Sequence, residues 1–148
     1  MFLELFAEII GDPALAHPMF VQRNIFPKHE TFDFTTHAHQ DRVHIGGSTN
    51  YAIWTPIGDC LIDKGPLAIA SGSHKNGVVD TRVGTGAGGM EIAVKIPRTS
   101  VTETFKAGDV LIFSDTTVHK APPNKNMRFV KPSMLGISQR VPQQPNQI

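Results

Sequence analysis

The sequence predicts an all-β domain that opens with one helix. Short apolar or alternating runs recur from residue 51 onward, each ended by turn residues, which is the pattern of a sandwich or barrel. Glycine and proline, 13 and 11 of 148 residues, are somewhat raised and supply the turns such a fold needs. Helical spacing stands out only in Met1-Phe2-Leu3-Glu4-Leu5-Phe6-Ala7-Glu8-Ile9-Ile10, an amphipathic run stopped by Gly11-Asp12-Pro13.

The elements follow in order. Residues 13–17 extend the start by a short helical turn, and 20–26 alternate loosely as a strand that Pro27 stops. Residues 28–36 are polar and read as loop, and the histidine-rich run 37–44 reads as extended. Strands are predicted at 51–57 and 67–70. Residues 81–89 carry Gly84, Gly86, Gly88 and Gly89 and read as irregular or mobile. Residues 91–96 and 101–105 alternate as strands, 106–109 form a turn, and 110–113 make a buried strand. The last strand or strands fall at 127–130 and 133–139, and the Pro- and Gln-rich end from residue 141 reads as a surface tail.

Composition excludes several functions. A chain of 148 residues suits one domain with a modest core. The net charge of +1, with no basic stripe, argues against nucleic acid as a partner. No run approaches the ~18 apolar residues of a membrane span, and the start lacks the basic residues of a signal peptide. Cys60 is the single cysteine, so no intramolecular disulfide forms, and a reducing, cytoplasmic setting is expected. Opening directly in a helix points to a missing N-terminal part.

The chemistry concentrates in histidine. Three of the seven crowd into His37-Ala38-His39-Gln40-Asp41-Arg42-Val43-His44. On a strand, residues i and i+2 share a face, which sets the His39 imidazole beside the Asp41 carboxylate as two neighbouring metal ligands. His119, shortly after the buried strand at 110–113, is the best third ligand. Together they make a 2-His-1-carboxylate facial triad, which leaves positions open on an octahedral iron. A lone His-x-Asp is more often a surface pair, His119 alone suits a strand end, and His37 can instead pair with Asp41 or orient a ligand.

The surrounding blocks decide between these readings. His39-Gln40-Asp41 comes first, then Tyr51-Ala52-Ile53-Trp54-Thr55-Pro56-Ile57-Gly58-Asp59-Cys60. Lys64-Gly65-Pro66-Leu67-Ala68-Ile69-Ala70-Ser71-Gly72-Ser73-His74-Lys75-Asn76-Gly77 follows, then Gly108-Asp109-Val110-Leu111-Ile112-Phe113. Last is His119-Lys120-Ala121-Pro122-Pro123-Asn124, leading to Arg128. In this order the blocks resemble the phytanoyl-CoA dioxygenase family over nearly the whole chain.

That resemblance implies a double-stranded β-helix, the cupin-like jelly-roll barrel, with a short N-terminal helix. The single domain, 1–148, then divides into helix and first strand (1–27), barrel with the metal site (28–140) and tail (141–148). It implies Fe(II) as cofactor, 2-oxoglutarate as co-substrate, and oxygen and a small molecule as substrates. The activity implied is hydroxylation, with 2-oxoglutarate decarboxylated to succinate. His39, Asp41 and His119 match the metal ligands, and the carboxylate of Asp41 favours hydroxylation over halogenation.

Arg128 matches the guanidinium that grips the far carboxylate of 2-oxoglutarate, with Lys131 as the fallback. Asn124 braces the following loop or contacts the co-substrate, and Trp54 packs against the co-substrate or in the core. Ser71-Gly72-Ser73-His74 reads as a structural turn in which His74 is no ligand, and Cys60 reads as buried. The roles of His37 and His44 stay open. The chain is shorter than usual in the family, which puts its activity in question, and an unpaired strand edge would suit a homodimer. Two alternatives stand beside the oxygenase: a truncated or non-catalytic jelly-roll module that still binds metal, and a cupin-type metalloenzyme that uses no 2-oxoglutarate.

Overall fold

The computed structural model describes residues 2–10, 21–27, 29, 31, 35–45, 50–96 and 100–126. Helix α1 (Phe2–Ile10) comes first, then strand β1 (Thr36–His39), short helix α2 (Arg42–Ile45) and strand β2 (Tyr51–Trp54). Two 3-10 turns, Ile62–Lys64 and Ser73–Asn76, flank β3 (Ala68–Ile69). Strands β4 (Thr81–Val83), β5 (Met90–Ile92), β6 (Leu111–Ser114) and β7 (His119–Ala121) complete the set. All pairings between these strands are antiparallel: β1-β7-β3 in one sheet, β2-β6 in a second, and the hairpin β4-β5. Among the described residues these sheets do not close into a barrel.

Burial explains the central strands. Ala52, Ile53 and Trp54 of β2 are all buried, so both faces of that strand are covered. Ala52, Trp54, Leu67 and Phe113 form the core, with Ile69, Phe105 and Leu111 packed against it. The Trp54 and Phe105 rings meet edge-on at 4.8 Å, a geometry worth about 0.5–1.5 kcal/mol beyond the area it buries. Helix α1 forms where the apolar spacing placed it. Its Phe6 is fully buried, 5.9 Å from the Tyr51 ring, while Leu3, Leu5 and Ile9 stay exposed.

Three sequence expectations are corrected. Residues 21–27 form no strand, and Pro27 makes only an isolated parallel bridge to Asn124; proline has no N–H to continue a ladder. Residues 101–105 touch the sheets only at their ends, Val101 on Ile69 and Phe105 on Cys60. Between them the Thr102 hydroxyl donates to the Leu67 carbonyl at 2.9 Å, a side-chain bond that competes with ladder pairing. Residues 81–89 are not irregular throughout. Thr81, Arg82 and Val83 pair with Ile92, Glu91 and Met90, and the glycines fall in the connection. An Arg82–Glu91 ion pair of 2.7 Å across the strands supports that hairpin. The segment 13–17, the strands expected at 127–139 and the tail at 141–148 lie outside the described residues.

One glycine sets how closely two segments approach. Gly65 ends the first 3-10 turn at φ 73°, and its N–H donates to the Ile62 carbonyl at 3.2 Å. A Cβ there would lie 2.2 Å from the Pro122 carbonyl oxygen, just beyond β7. Left-handed backbone costs a non-glycine residue about 1–2 kcal/mol, and overpacking against backbone adds about 1–3 kcal/mol. Gly65→Ala is therefore expected to lower stability by about 2–4 kcal/mol. Urea denaturation tests it, and a loss under 1 kcal/mol would contradict the contact.

Candidate metal centre

The site is built where β1 meets β7. His39, the last residue of β1, and His119, the first of β7, are register partners. Their rings stand 4.2 Å apart between centroids. Asp41 does not share a strand face with His39 as the spacing suggested. The chain turns after His39, and the Asp41 carbonyl accepts the N–H groups of His44 (2.9 Å) and Ile45 (3.2 Å) as α2 begins. Asp41 Oδ1 thereby reaches 3.6 Å from His39 Nε2 and 3.5 Å from His119 Nε2. One ligand atom from each of the three residues lies within 4.8 Å of the others.

The two histidines are oriented alike. His39 Nδ1 lies 2.9 Å from the His37 carbonyl, and His119 Nδ1 lies 2.9 Å from the Thr117 carbonyl. A carbonyl only accepts, so each Nδ1 carries the proton and each Nε2 is left to face Asp41. His119 Nε2 is buried with no hydrogen-bond partner. A buried polar atom without a partner is costly, and a cation between these three groups satisfies it. The donor set of two imidazoles and one carboxylate fits iron with open positions.

Neighbouring residues fix Asp41 in place. Gln40, fully buried, donates through Nε2 to the Gly77 (2.8 Å) and Thr116 (2.5 Å) carbonyls and accepts the Val79 N–H at 3.0 Å. Arg42 grips fully buried Asp115 with two bonds, Nε to Oδ2 at 2.7 Å and Nη2 to Oδ1 at 3.0 Å. Asn50 adds a bond to Asp115 Oδ2 at 3.1 Å. Sequence reasoning missed Gln40, Arg42, Asn50 and Asp115. The available signal was Asp115 close behind the apolar run 110–113, expected to be a buried strand; the structure leaves that run half-buried, with Val110 exposed and only Phe113 buried.

Electrostatics follow from burial. Burial pushes the Asp41 carboxyl up, but His119 and His39 together outweigh it and hold the carboxyl well below its usual range. Burial pushes the His39 imidazole down; Asp41 opposes this and His119 reinforces it. His39 is thus neutral when folded, the form that binds metal. The linkage has one sign for both residues, because the unfolded chain binds more protons. Metal-free protein is expected to lose stability as pH falls below 6.5, through His39, and again below 3.8, through Asp41. Thermal melts across pH check this, and His39→Ala should flatten the first step.

The other predicted residues are placed as follows. Trp54 sits in the core, as the core reading had it, and also lines a cavity of about 270 Å³ together with His39, His119, Leu67, Ala121 and Arg23. Asn124 is buried outside that wall. It donates to the Ile25 carbonyl at 3.2 Å and accepts the Asn126 N–H at 2.8 Å, bracing the segment after β7. Arg128 and Lys131 lie outside the described residues. The His37 ring turns to Glu91 (Nδ1 to Oε2, 2.6 Å), and its carbonyl rather than its ring orients His39. His44 is exposed on α2, its ring 6.3 Å from that of His39. His74 is exposed on the second 3-10 turn, where Ser73 Oγ accepts the Val118 N–H at 2.8 Å. Cys60 is fully buried, and burial pushes its thiol up, away from the reactive thiolate.

A family model described as phytanoyl-CoA dioxygenase (PhyH) matches residues 1–130. The chain belongs to the phytanoyl-CoA dioxygenase family. Solved structures share its fold. The apo form of ThoJ, a non-heme monooxygenase, superposes with a TM-score of 0.74 at 23% identity, covering 94% of this chain and 51% of its own. The epimerase SnoN, in complex with Fe3+, alpha ketoglutarate and nogalamycin RO, gives 0.71 at 21% identity, covering 94% and 55%. EvdO2 from Micromonospora carbonacea var. aurantiaca, complexed with 2-oxoglutarate, gives 0.67 at 17% identity, covering 84% and 51%. At these identities the likeness speaks for fold: this phytanoyl-CoA dioxygenase family chain has the jelly-roll, cupin-like architecture that the sequence resemblance implied. The chain spans about half the length of these structures. No helix among the described residues is long and apolar enough to cross a membrane.

Proposed function

We propose that the chain is a Fe(II)- and 2-oxoglutarate-dependent oxygenase that hydroxylates a small molecule. The observation that carries this is the convergence of His39 Nε2, His119 Nε2 and Asp41 Oδ1 beside a cavity, with the His119 nitrogen buried and unpartnered. His39, Asp41 and His119 would hold the iron. Bound there with 2-oxoglutarate and oxygen, iron would supply the oxidising power for converting a C–H bond to C–OH, coupled to the splitting of 2-oxoglutarate to succinate and carbon dioxide.

The protein's own groups do the rest. The two backbone carbonyls of residues 37 and 117 keep both imidazoles in the tautomer that offers Nε2. Trp54, Leu67 and Ala121 give the cavity an apolar wall that limits water near the metal face. Arg128 is proposed to grip the far carboxylate of 2-oxoglutarate, since a guanidinium stays charged and binds a carboxylate through two bonds. The family relation and the ligand-bound states of SnoN and EvdO2 support this reading.

The test is an anaerobic titration of the Fe(II)-loaded chain with 2-oxoglutarate. A weak visible charge-transfer band is expected, weakened by Arg128→Ala. Folded, iron-loaded protein that shows no band would overturn the reading.

A further inference from the structure

Arg23 lies on the wall of the cavity that holds the His39 and His119 rings. Its Nη1 donates to Thr36 Oγ1 at 2.9 Å and to the Ala87 carbonyl at 3.2 Å. Both acceptors are neutral, so they aim the guanidinium without neutralising it. Among the described residues, Nε and Nη2 have no acceptor and no carboxylate pairs with this cation. The carboxylates nearby are otherwise engaged: Glu91 holds Arg82 and His37, and Asp41 faces the two histidines.

The surroundings keep this charge available. Gly88 lines the same cavity, and a Cβ there would come 3.4 Å from Arg23 Nη1 and 3.6 Å from Nη2. A larger side chain at 88 would therefore cover the guanidinium. Much of the remaining wall is apolar, including Ile25, Trp54, Leu67, Ala87 and Ala121. A charge beside such a wall is poorly screened and attracts an opposite charge strongly. A divalent metal held by one carboxylate and two neutral imidazoles adds one further net positive charge.

We propose that Arg23 is a carboxylate-recognising residue of this cavity and so restricts its ligands to acids. This deepens the oxygenase reading by naming a chemical class for what the site takes. The carboxylate belongs either to the 2-oxo acid or to the primary substrate, and the planar fork of Arg23 suits both.

Trp54 is the one tryptophan of the chain and lines the same cavity, so its fluorescence reports occupancy without turnover. The full chain, loaded with Mn(II) and without iron, is titrated with 2-oxoglutarate, with 2-oxopentanoate, and, at saturating 2-oxoglutarate, with a panel of simple monocarboxylic acids. Wild type, Arg23→Ala, Arg23→Lys and Arg128→Ala are compared, their folding checked by circular dichroism. Arg23→Ala is expected to weaken carboxylate binding by at least about tenfold, since charge-assisted bonds are the strong ones. Arg23→Lys should recover part of it by keeping the charge.

A loss with both 2-oxoglutarate and 2-oxopentanoate assigns Arg23 to the C1 carboxylate of the co-substrate, and a loss with 2-oxoglutarate alone assigns it to the far carboxylate alongside Arg128. A loss confined to the monocarboxylic panel assigns it to the primary substrate. Wild-type chain that binds no carboxylate overturns the proposal, as does folded Arg23→Ala that binds them all within twofold of wild type. Separate Mn(II) titration keeps the two readings apart. Metal binding with carboxylate affinity indifferent to Arg23 refutes this inference alone. Arg23-dependent carboxylate binding in a chain that takes no metal refutes the oxygenase alone.

Discussion

Asp41→Ala is expected to lower divalent-metal affinity by well over about a hundredfold. Changes to groups that merely orient a metal ligand cost about 10–100-fold, and Asp41 is proposed as a ligand itself. It carries the only carboxylate of the triad, and its Oδ1 faces both imidazole nitrogens. Without it, two neutral rings remain with nothing to balance a dication. Asp41→Asn should retain the local turn, because α2 is held by the Asp41 backbone carbonyl and not by its side chain. The asparagine variant thus separates metal loss from misfolding. Anaerobic calorimetry with Fe(II) reads the affinity, and wild-type affinity in either variant would remove Asp41 from the site.

Asp115→Ala should cost about 3–5 kcal/mol, the range for removing one partner of a buried ion pair. Its carboxylate is fully buried and accepts two bonds from Arg42 and one from Asn50, so truncation removes three bonds at once. That loss is a large part of the 5–15 kcal/mol that stabilises a typical domain, so the variant needs study at low temperature. Arg42→Lys is the milder companion, since it keeps the charge and loses the fork. Because Arg42 follows Asp41 directly, both variants should also weaken metal binding, by about 10–100-fold. Urea denaturation with a loss under 1 kcal/mol for Asp115→Ala would show that the pair is not a structural anchor.

The grouping of His39, Asp41 and His119 was legible in the sequence because these residue types are chemically rare together and stand within a recognisable order of blocks. The spacing of His39 and Asp41 suits a shared strand face, but the chain brings the two together through a turn into α2. Register to His119 was not legible, since pairing between β1 and β7 depends on the whole intervening chain. The anchor of that turn was also hidden. Arg42 and Asp115 are 73 positions apart, and each alone reads as an ordinary surface charge. Arg23 was hidden by a mistaken strand: its segment has alternating residues, but Thr36 and Ala87 hold its guanidinium where no strand forms. The hairpin at β4 and β5 was obscured by its glycines, which pointed to an irregular or mobile segment where they serve a tight connection.

The register between His39 and His119 gives the site a mechanical role. The proposed ligands come from two neighbouring places in space that are remote along the chain, at 39–41 and at 119. An ion shared by them would tie off a loop running through residues 42 to 118, which contains β2 to β6. A covalent link closing a loop of comparable length restrains the unfolded chain by about 4–5 kcal/mol in the chain-entropy treatment. Coordinate bonds are reversible and act as a looser version of the same stitch. Chelators would then do more than silence the chemistry. They would undo the seam between β1 and β7, so that resistance to proteolysis and melting temperature should rise and fall with metal supply.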